Sequence, residues 1–215
     1  VWLWNWDAAA TVDKPKLSEN VASPVAKDKF NFWTYKLKLP NRTGKERVLT
    51  IDMVKTVVTV KINVAGKERD VEVPLVDDGK MNVYKAAFFE NEGIPIKDDR
   101  FPKNKKIESG KDGGVEFTVA FRERDVDFET VIRNIHNQLD LETALKRNKD
   151  GGKRTEKVYK GPRHLSVAEV KEVQKQLKAN LPAALKEQLA KGVRAEITAK
   201  SGLSSGTRMV NFTFK

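Results

Sequence analysis

Residues 48–76 read VLTIDMVKTVVTVKINVAGKERDVEVPLV. Val, Ile and Thr dominate the first 17 residues, and such β-branched side chains fit a pleated, half-buried surface better than a helix. Apolar side chains fall at Leu49, Ile51 and Met53, then at Val54, Val58, Val60, Ile62 and Val64. A period of two places each set on one face of a strand, but the set changes parity between Met53 and Val54. A bulge or bend is expected there, because an inserted residue restores the apolar side to one face. Ala65-Gly66-Lys67 then supplies a turn, and residues 71–76 alternate again, so the stretch predicts a long β-hairpin.

Working outward, residues 30–39 alternate as well, with Trp33, Tyr35, Leu37 and Leu39 on one face and Lys36 and Lys38 on the other. Asn41-Arg42-Thr43-Gly44 is turn chemistry. Residues 82–91 satisfy two templates, a short Asn-capped helix ending at Gly93 and a strand through Phe88-Phe89. Residues 94–114 are polar and rich in Lys, Asp, Pro and Gly, and are expected as a loop. Val115, Phe117, Val119 and Phe121 define a half-buried strand. Asp127 caps a helix carrying Phe128, Val131, Ile132, Ile135, Leu139 and Leu145 at helical spacing. Ser166-Val167-Ala168-Glu169 is a capping-box signature ahead of Val170, Val173 and Leu177. Pro182 stands where the first turn of a further helix would tolerate it, and residues 193–199 and 207–214 form a last pair of alternating strands. The expected class is α+β: a mostly antiparallel sheet with C-terminal helices and a terminal β-hairpin. Three segments are expected: 1–29, an extended aromatic arm and linker; 30–145, a β-rich region ending in a helix; and 146–215, a basic sub-region packed on the same core.

The 215 residues carry 41 Lys and Arg against 30 Asp and Glu, a formal charge of +11. All of that excess lies in residues 146–215, where 17 cations face 6 anions. A one-sided positive field attracts phosphate polymers or anionic surfaces whatever the fold beneath. The densest part is residues 146–163, with eight cations against Asp150 and Glu156. Lys146, Arg147, Lys149, Lys153, Arg154, Lys157, Lys160 and Arg163 are interleaved there with three glycines and Tyr159. Mobile cations, close backbone approach and an aromatic face for stacking are what phosphate-backbone binding uses. A solvated loop that only keeps the protein soluble is the alternative. Arg194 and Lys200 share a strand face with Glu196 and Thr198, and Arg208 lies in the next strand, so the last hairpin is expected to extend the basic surface.

Trp2, Trp4 and Trp6 recur at period two and would face one way on a strand. They are read as an assembly handle that docks on a neighbouring subunit, the alternative being burial in the chain's own core. Catalytic candidates are few. His164 beside the basic segment could serve as a general base for RNA cleavage, or act as a pH-tuned phosphate contact; His136 is expected on a helix flank. Asp77-Asp78 and Asp98-Asp99 could hold a divalent metal, but both lie beside Gly or Pro in turn-like segments, and turn-forming aspartates are the better reading. No nucleotide-binding glycine loop or zinc motif is present, and no catalytic residue, metal or cofactor is assigned.

Zero cysteines remove disulfides, thiolate metal sites and cysteine nucleophiles. No stretch approaches the roughly 20 apolar residues of a membrane helix, so no membrane insertion is expected. The first residues lack a basic leader with an apolar core, and cytoplasm or virion is the compatible setting. The expected function is a non-enzymatic, self-assembling nucleic-acid-binding protein, such as a viral or phage coat or nucleoprotein, with RNA favoured over DNA as partner. The alternative is a nuclease using His164 or a metal at an acidic pair.

Overall fold

A computed structural model describes residues 11–25, 27–96, 100–149, 164–201 and 204–213. Among them the order is β1 (Thr11–Val12), β2 (Lys16–Ala22), β3 (Lys29–Pro40), β4 (Arg47–Val64), β5 (Lys67–Asp77), α1 (Val83–Asn91), β6 (Lys105–Ile107), β7 (Gly114–Arg122), α2 (Phe128–Lys149), α3 (Val167–Leu189), β8 (Gly192–Ser201) and β9 (Ser204–Thr213). The fold is α+β with antiparallel sheets and a terminal hairpin. It divides into two compact units, neither contiguous in sequence. One comprises residues 1–58, 75–126 and 185–215, the other residues 59–74 and 127–184.

The first unit holds two sheets. In one, β3 is central: β7 pairs along it from Phe32↔Arg122 to Pro40↔Gly114, while β1 and β2 pair with it at Thr11↔Lys38 and Lys16↔Thr34. Residues 11–22, read from sequence as part of an extended arm, thus extend this sheet. In the other, β4 pairs with β6 and β8, and β8 with β9. The β4–β8 register shifts between Ile51 and Met53, one residue from the parity change at Met53-Val54. Leu37 and Leu39 of β3, Phe117 and Val119 of β7, Leu49, Ile51 and Val54 of β4, and Val193 to Ala199 at alternate positions of β8 are all buried. A Tyr35 Oη···Thr56 Oγ1 hydrogen bond of 2.7 Å links β3 to β4, and burial pushes the Tyr35 phenol up from its ordinary value.

β3 is buried on its second face as well. Phe30, Phe32, Ala120, Phe88 and Phe89 form one cluster, with Val21, Met81, Tyr84 and Ile94 packed around it. The ambiguous stretch is therefore a helix: Asn82 accepts the Lys85 N–H at 2.9 Å as N-cap, and Phe88 stacks on Phe32 with ring centroids 4.3 Å apart. Lys105–Ile107 is a short strand inside the expected loop, too brief to show a period.

In the second unit the ends of β4 and β5 form a hairpin. Ala65 and Gly66 have φ of 57° and 77°, the two positive values of a type I′ turn. Its free edges are covered by amide side chains. From α2, Asn134 Nδ2 donates to the Glu72 carbonyl and Gln138 Nε2 to the Asp70 carbonyl, at 3.3 and 2.8 Å. From α3, Gln176 bonds both the N–H and the C=O of Asn63, and Asn180 Nδ2 donates to the Lys61 carbonyl at 2.9 Å. Such cover blocks edge-to-edge pairing. Arg69, buried, forms a two-pronged pair with Glu142 of α2.

Two helix readings change. Pro182 lies inside one continuous helix rather than opening a second, because Leu177, Leu181, Leu185 and Leu189 stay buried at four-residue spacing across it. Burial of that stripe outweighs the roughly 3 kcal/mol penalty of an interior proline. Leu145 is 53% exposed and not part of the α2 core stripe, since six residues from Leu139 is a rotation away from it.

The Glu142 pair gives the hairpin unit an acid dependence. Donation from Arg69 and Lys67 holds its carboxyl at about 2, well below its ordinary 4.5. The lowered folded value means that its contribution is full above the unfolded value and disappears as pH falls from 4.5 toward 2. Glu142→Gln should flatten this acid limb, read as the difference in urea midpoint between about pH 6 and about pH 3.

Candidate nucleic-acid interface

The basic connector joins the C-terminus of α2 to the N-terminus of α3. Lys153, Arg154, Lys157, Tyr159, Lys160 and Arg163 lie outside the described residues, as do Trp2, Trp4, Trp6, Asp98 and Asp99. Lys146, Arg147 and Lys149 occupy the last turns of α2, where the helix macrodipole favours cations. On the far side, α3 starts with the reciprocal capping box: Ser166 N–H donates to Glu169 Oε2 at 2.9 Å and Glu169 N–H to Ser166 Oγ at 3.2 Å. A defined helix start thus fixes where the connector ends.

α3 has three faces. Val173, Leu177 and Leu181 are buried, and Gln176 and Asn180 are tied to the β4 edge. The flank left over carries Lys171, Lys175 and Lys178, all exposed and none with an ion-pair partner among the described residues. Their spacing of four and three residues keeps them on one side, along about 10 Å of helix. Sequence reading missed this stripe although the spacing was legible; what it lacked was the knowledge that the opposite polar flank is already engaged.

The hairpin positions behave differently. Lys200 Nζ lies 3.2 Å from Asp52, and Glu196 of the same face pairs in register with Lys55. Arg194 is half-buried on that face. Arg208 lies in β9, in register with Ile197. These residues belong to the first unit, the α3 stripe to the second.

The two histidines meet. His136 Nε2 accepts the Leu165 N–H at 3.1 Å, which places its own proton on Nδ1, and the His164 ring lies edge-on to it at 4.8 Å. Asp77 is buried and ion-paired, and its Oδ1 accepts the Gly79 N–H, while Asp78 accepts the Lys80 N–H. Among the described residues no group of three metal-ligating side chains occurs.

No helix among the described residues is long and apolar enough to cross a membrane. Comparison with known proteins returns no matching family model, no matching curated protein and no matching solved structure.

Proposed function

We propose that this chain is a non-enzymatic, self-assembling structural protein that binds nucleic acid, RNA in preference to DNA, in the manner of a viral coat or nucleoprotein. The observation that carries this reading is the α3 flank of Lys171, Lys175 and Lys178, which follows the end of the connector bearing the densest cationic charge in the sequence. The stripe is spaced to follow a phosphate backbone, and the connector's cations and Tyr159 would add contacts and a stacking face.

Replacing Lys171, Lys175 and Lys178 together by Glu should weaken binding to a labelled single-stranded RNA by at least about tenfold. It should also reduce the slope of log K against log salt by about two units, three contacts at roughly 0.7 each. Charge reversal at Lys153, Arg154, Lys157 and Lys160 should act in the same direction. Wild-type protein that fails to bind RNA or heparin at low salt, or a triple variant that binds as the wild type does, overturns the reading.

A further inference from the structure

The entry to α3 is tied to α2 through a neutral imidazole. Residues 164–166 follow the cationic connector and lead into α3, and the Leu165 N–H donates to His136 Nε2 of α2 at 3.1 Å. His136 is half-buried, and the exposed His164 ring stands edge-on to it, with centroids 4.8 Å apart and planes at 86°. All of these residues belong to the second unit. An imidazole nitrogen accepts a hydrogen bond only while it carries no proton, because both nitrogens of a histidinium are donors. The bond to Leu165 therefore exists only with His136 uncharged.

The flank of α2 that carries His136 also offers the charged ring a partner. Asp140 follows four residues later, the spacing that makes side chains neighbours on a helix surface. Its Oδ1 is buried and has no hydrogen-bond partner among the described residues. A buried carboxylate oxygen without a donor is costly, and a histidinium one turn away supplies what it lacks. Two arrangements thus compete for one ring: neutral His136 holding Leu165, and charged His136 holding Asp140.

The other described charges near the ring are few. On α2, Arg133 stands one turn earlier and donates to Thr130 Oγ1 at 2.9 Å. On α3, Glu169 takes the Ser166 N–H, and Lys171 and Glu172 are exposed. Asp70 and Glu72 of β5 meet α2 at Gln138 and Asn134, on another side of the helix. His164 titrates in the same range as His136, and two imidazolium rings in contact repel. Moving residues 164–166 off α2 relieves that repulsion.

We propose that His136 is a pH-operated latch on the entry to α3: neutral, it holds residues 164–166 on α2 through Leu165; protonated, it pairs with Asp140 and lets them go. A histidine ordinarily changes charge between about pH 5 and 8, so the latch is closed at the upper end of that range and opens on acidification. Residues 164–166 lie between the connector's cations and the flank of Lys171, Lys175 and Lys178. The latch thus regulates the nucleic-acid surface proposed above and, as regulation, rests on that reading.

Amide exchange and imidazole ¹⁵N shifts of the full chain test this between about pH 7.5 and about pH 5. At the upper value His136 should carry its proton on Nδ1, the tautomer that leaves Nε2 to accept. Protection of the Leu165 amide, corrected for its intrinsic exchange rate, should fall about tenfold or more at the lower value, while that of Ile135 holds. His136→Gln, which supplies an acceptor that does not titrate, should protect Leu165 equally at both. Asp140→Asn should move the opening about half a pH unit lower, because the charged ring loses its partner. The latch is overturned by an Nε2–H tautomer in the wild type at the upper value, a readout that needs no variant to fold. It is equally overturned by wild-type Leu165 protection that ignores pH, by His136→Gln opening in acid as the wild type does, or by Asp140→Asn opening at the wild-type pH. A short labelled single-stranded RNA, titrated at both values, separates the two readings. A latch that opens in a protein binding no RNA at either pH removes the nucleic-acid reading and leaves the latch. RNA bound with the same pH dependence by wild type and His136→Gln overturns the regulation and leaves the binding.

Discussion

Asp77→Asn is expected to destabilise the first unit by about 3–5 kcal/mol, the range for leaving buried charge uncompensated. The Asp77 side chain is fully buried, and those of Lys85 and Arg100 are each 4% exposed. Oδ1 accepts from Lys85 Nζ at 2.5 Å, Arg100 Nη1 at 2.9 Å and Gly79 N at 3.1 Å; Oδ2 accepts from Arg100 Nη2 at 2.6 Å and Ala120 N at 2.8 Å. One carboxylate thus joins a turn, α1, the segment before β6 and the β7 edge. Asparagine removes the only negative charge of the trio and turns an NH₂ toward donors on one side. The expected loss is a large fraction of the 5–15 kcal/mol that typically holds a domain folded. Urea titration followed by circular dichroism reads it, and a loss below about 1 kcal/mol would show that the cations find water instead. Adding Lys85→Met to Asp77→Asn should recover part of the loss, because one of the two stranded cations is then gone.

The same centre sets a sign for acid behaviour. Burial alone would raise the Asp77 carboxyl, but the Arg100 hydrogen bond, the Lys85 and Arg100 charges and the Ala120 N–H together lower it. A folded value below the unfolded one means stability that is fully present above the unfolded value and lost as pH falls through the folded one. Asp77→Asn should therefore flatten the acid limb as well as lower the neutral plateau. Gly79 belongs to this design: its φ is 71°, and a Cβ there would lie 2.6 Å from the Phe101 ring. The Asp77-Asp78-Gly79 run, which from sequence could have held a metal, is a turn wrapped around an internal ion pair.

What was legible in the sequence followed from local rules. The β4 bulge, the turn at Ala65-Gly66, the Asp127 cap and the Ser166–Glu169 capping box each need only a few neighbouring residues to specify them. The misreadings share another cause. Whether Pro182 ends a helix depends on how much apolar stripe is buried beyond it. The Lys171, Lys175 and Lys178 spacing was visible, but its availability for a partner follows only from Gln176 and Asn180 being spent on the β4 edge. The assignment of residues 82–91 is the sharpest case, because the evidence that settles it lies fifty residues upstream on β3.

Phe88→Ala measures how much that distant evidence is worth. α1 has nine residues, too short to be stable alone in water, so its existence depends on packing. Phe88 is fully buried, stacked on Phe32 at 4.3 Å with an interplanar angle of 9°, and edge-on to Phe89 at 5.6 Å. Truncation to alanine removes the ring and leaves a cavity between α1 and β3, with an expected loss of about 3–5 kcal/mol. Alanine is the better helix former of the two, so any loss measures packing against β3 and not helix propensity. Val83→Ala, at a position 54% exposed on the same helix, should change stability by less than about 0.5 kcal/mol and serves as the control. Hydrogen exchange should show the amides of Val83–Asn91 opening in the Phe88 variant ahead of those of β4 and β8, since the helix loses its anchor while that sheet keeps its ladder. Unchanged protection of α1 in Phe88→Ala would mean that the Asn82 cap and the Asp77–Lys85 pair hold the helix without the ring, and that β3's second face does not depend on it.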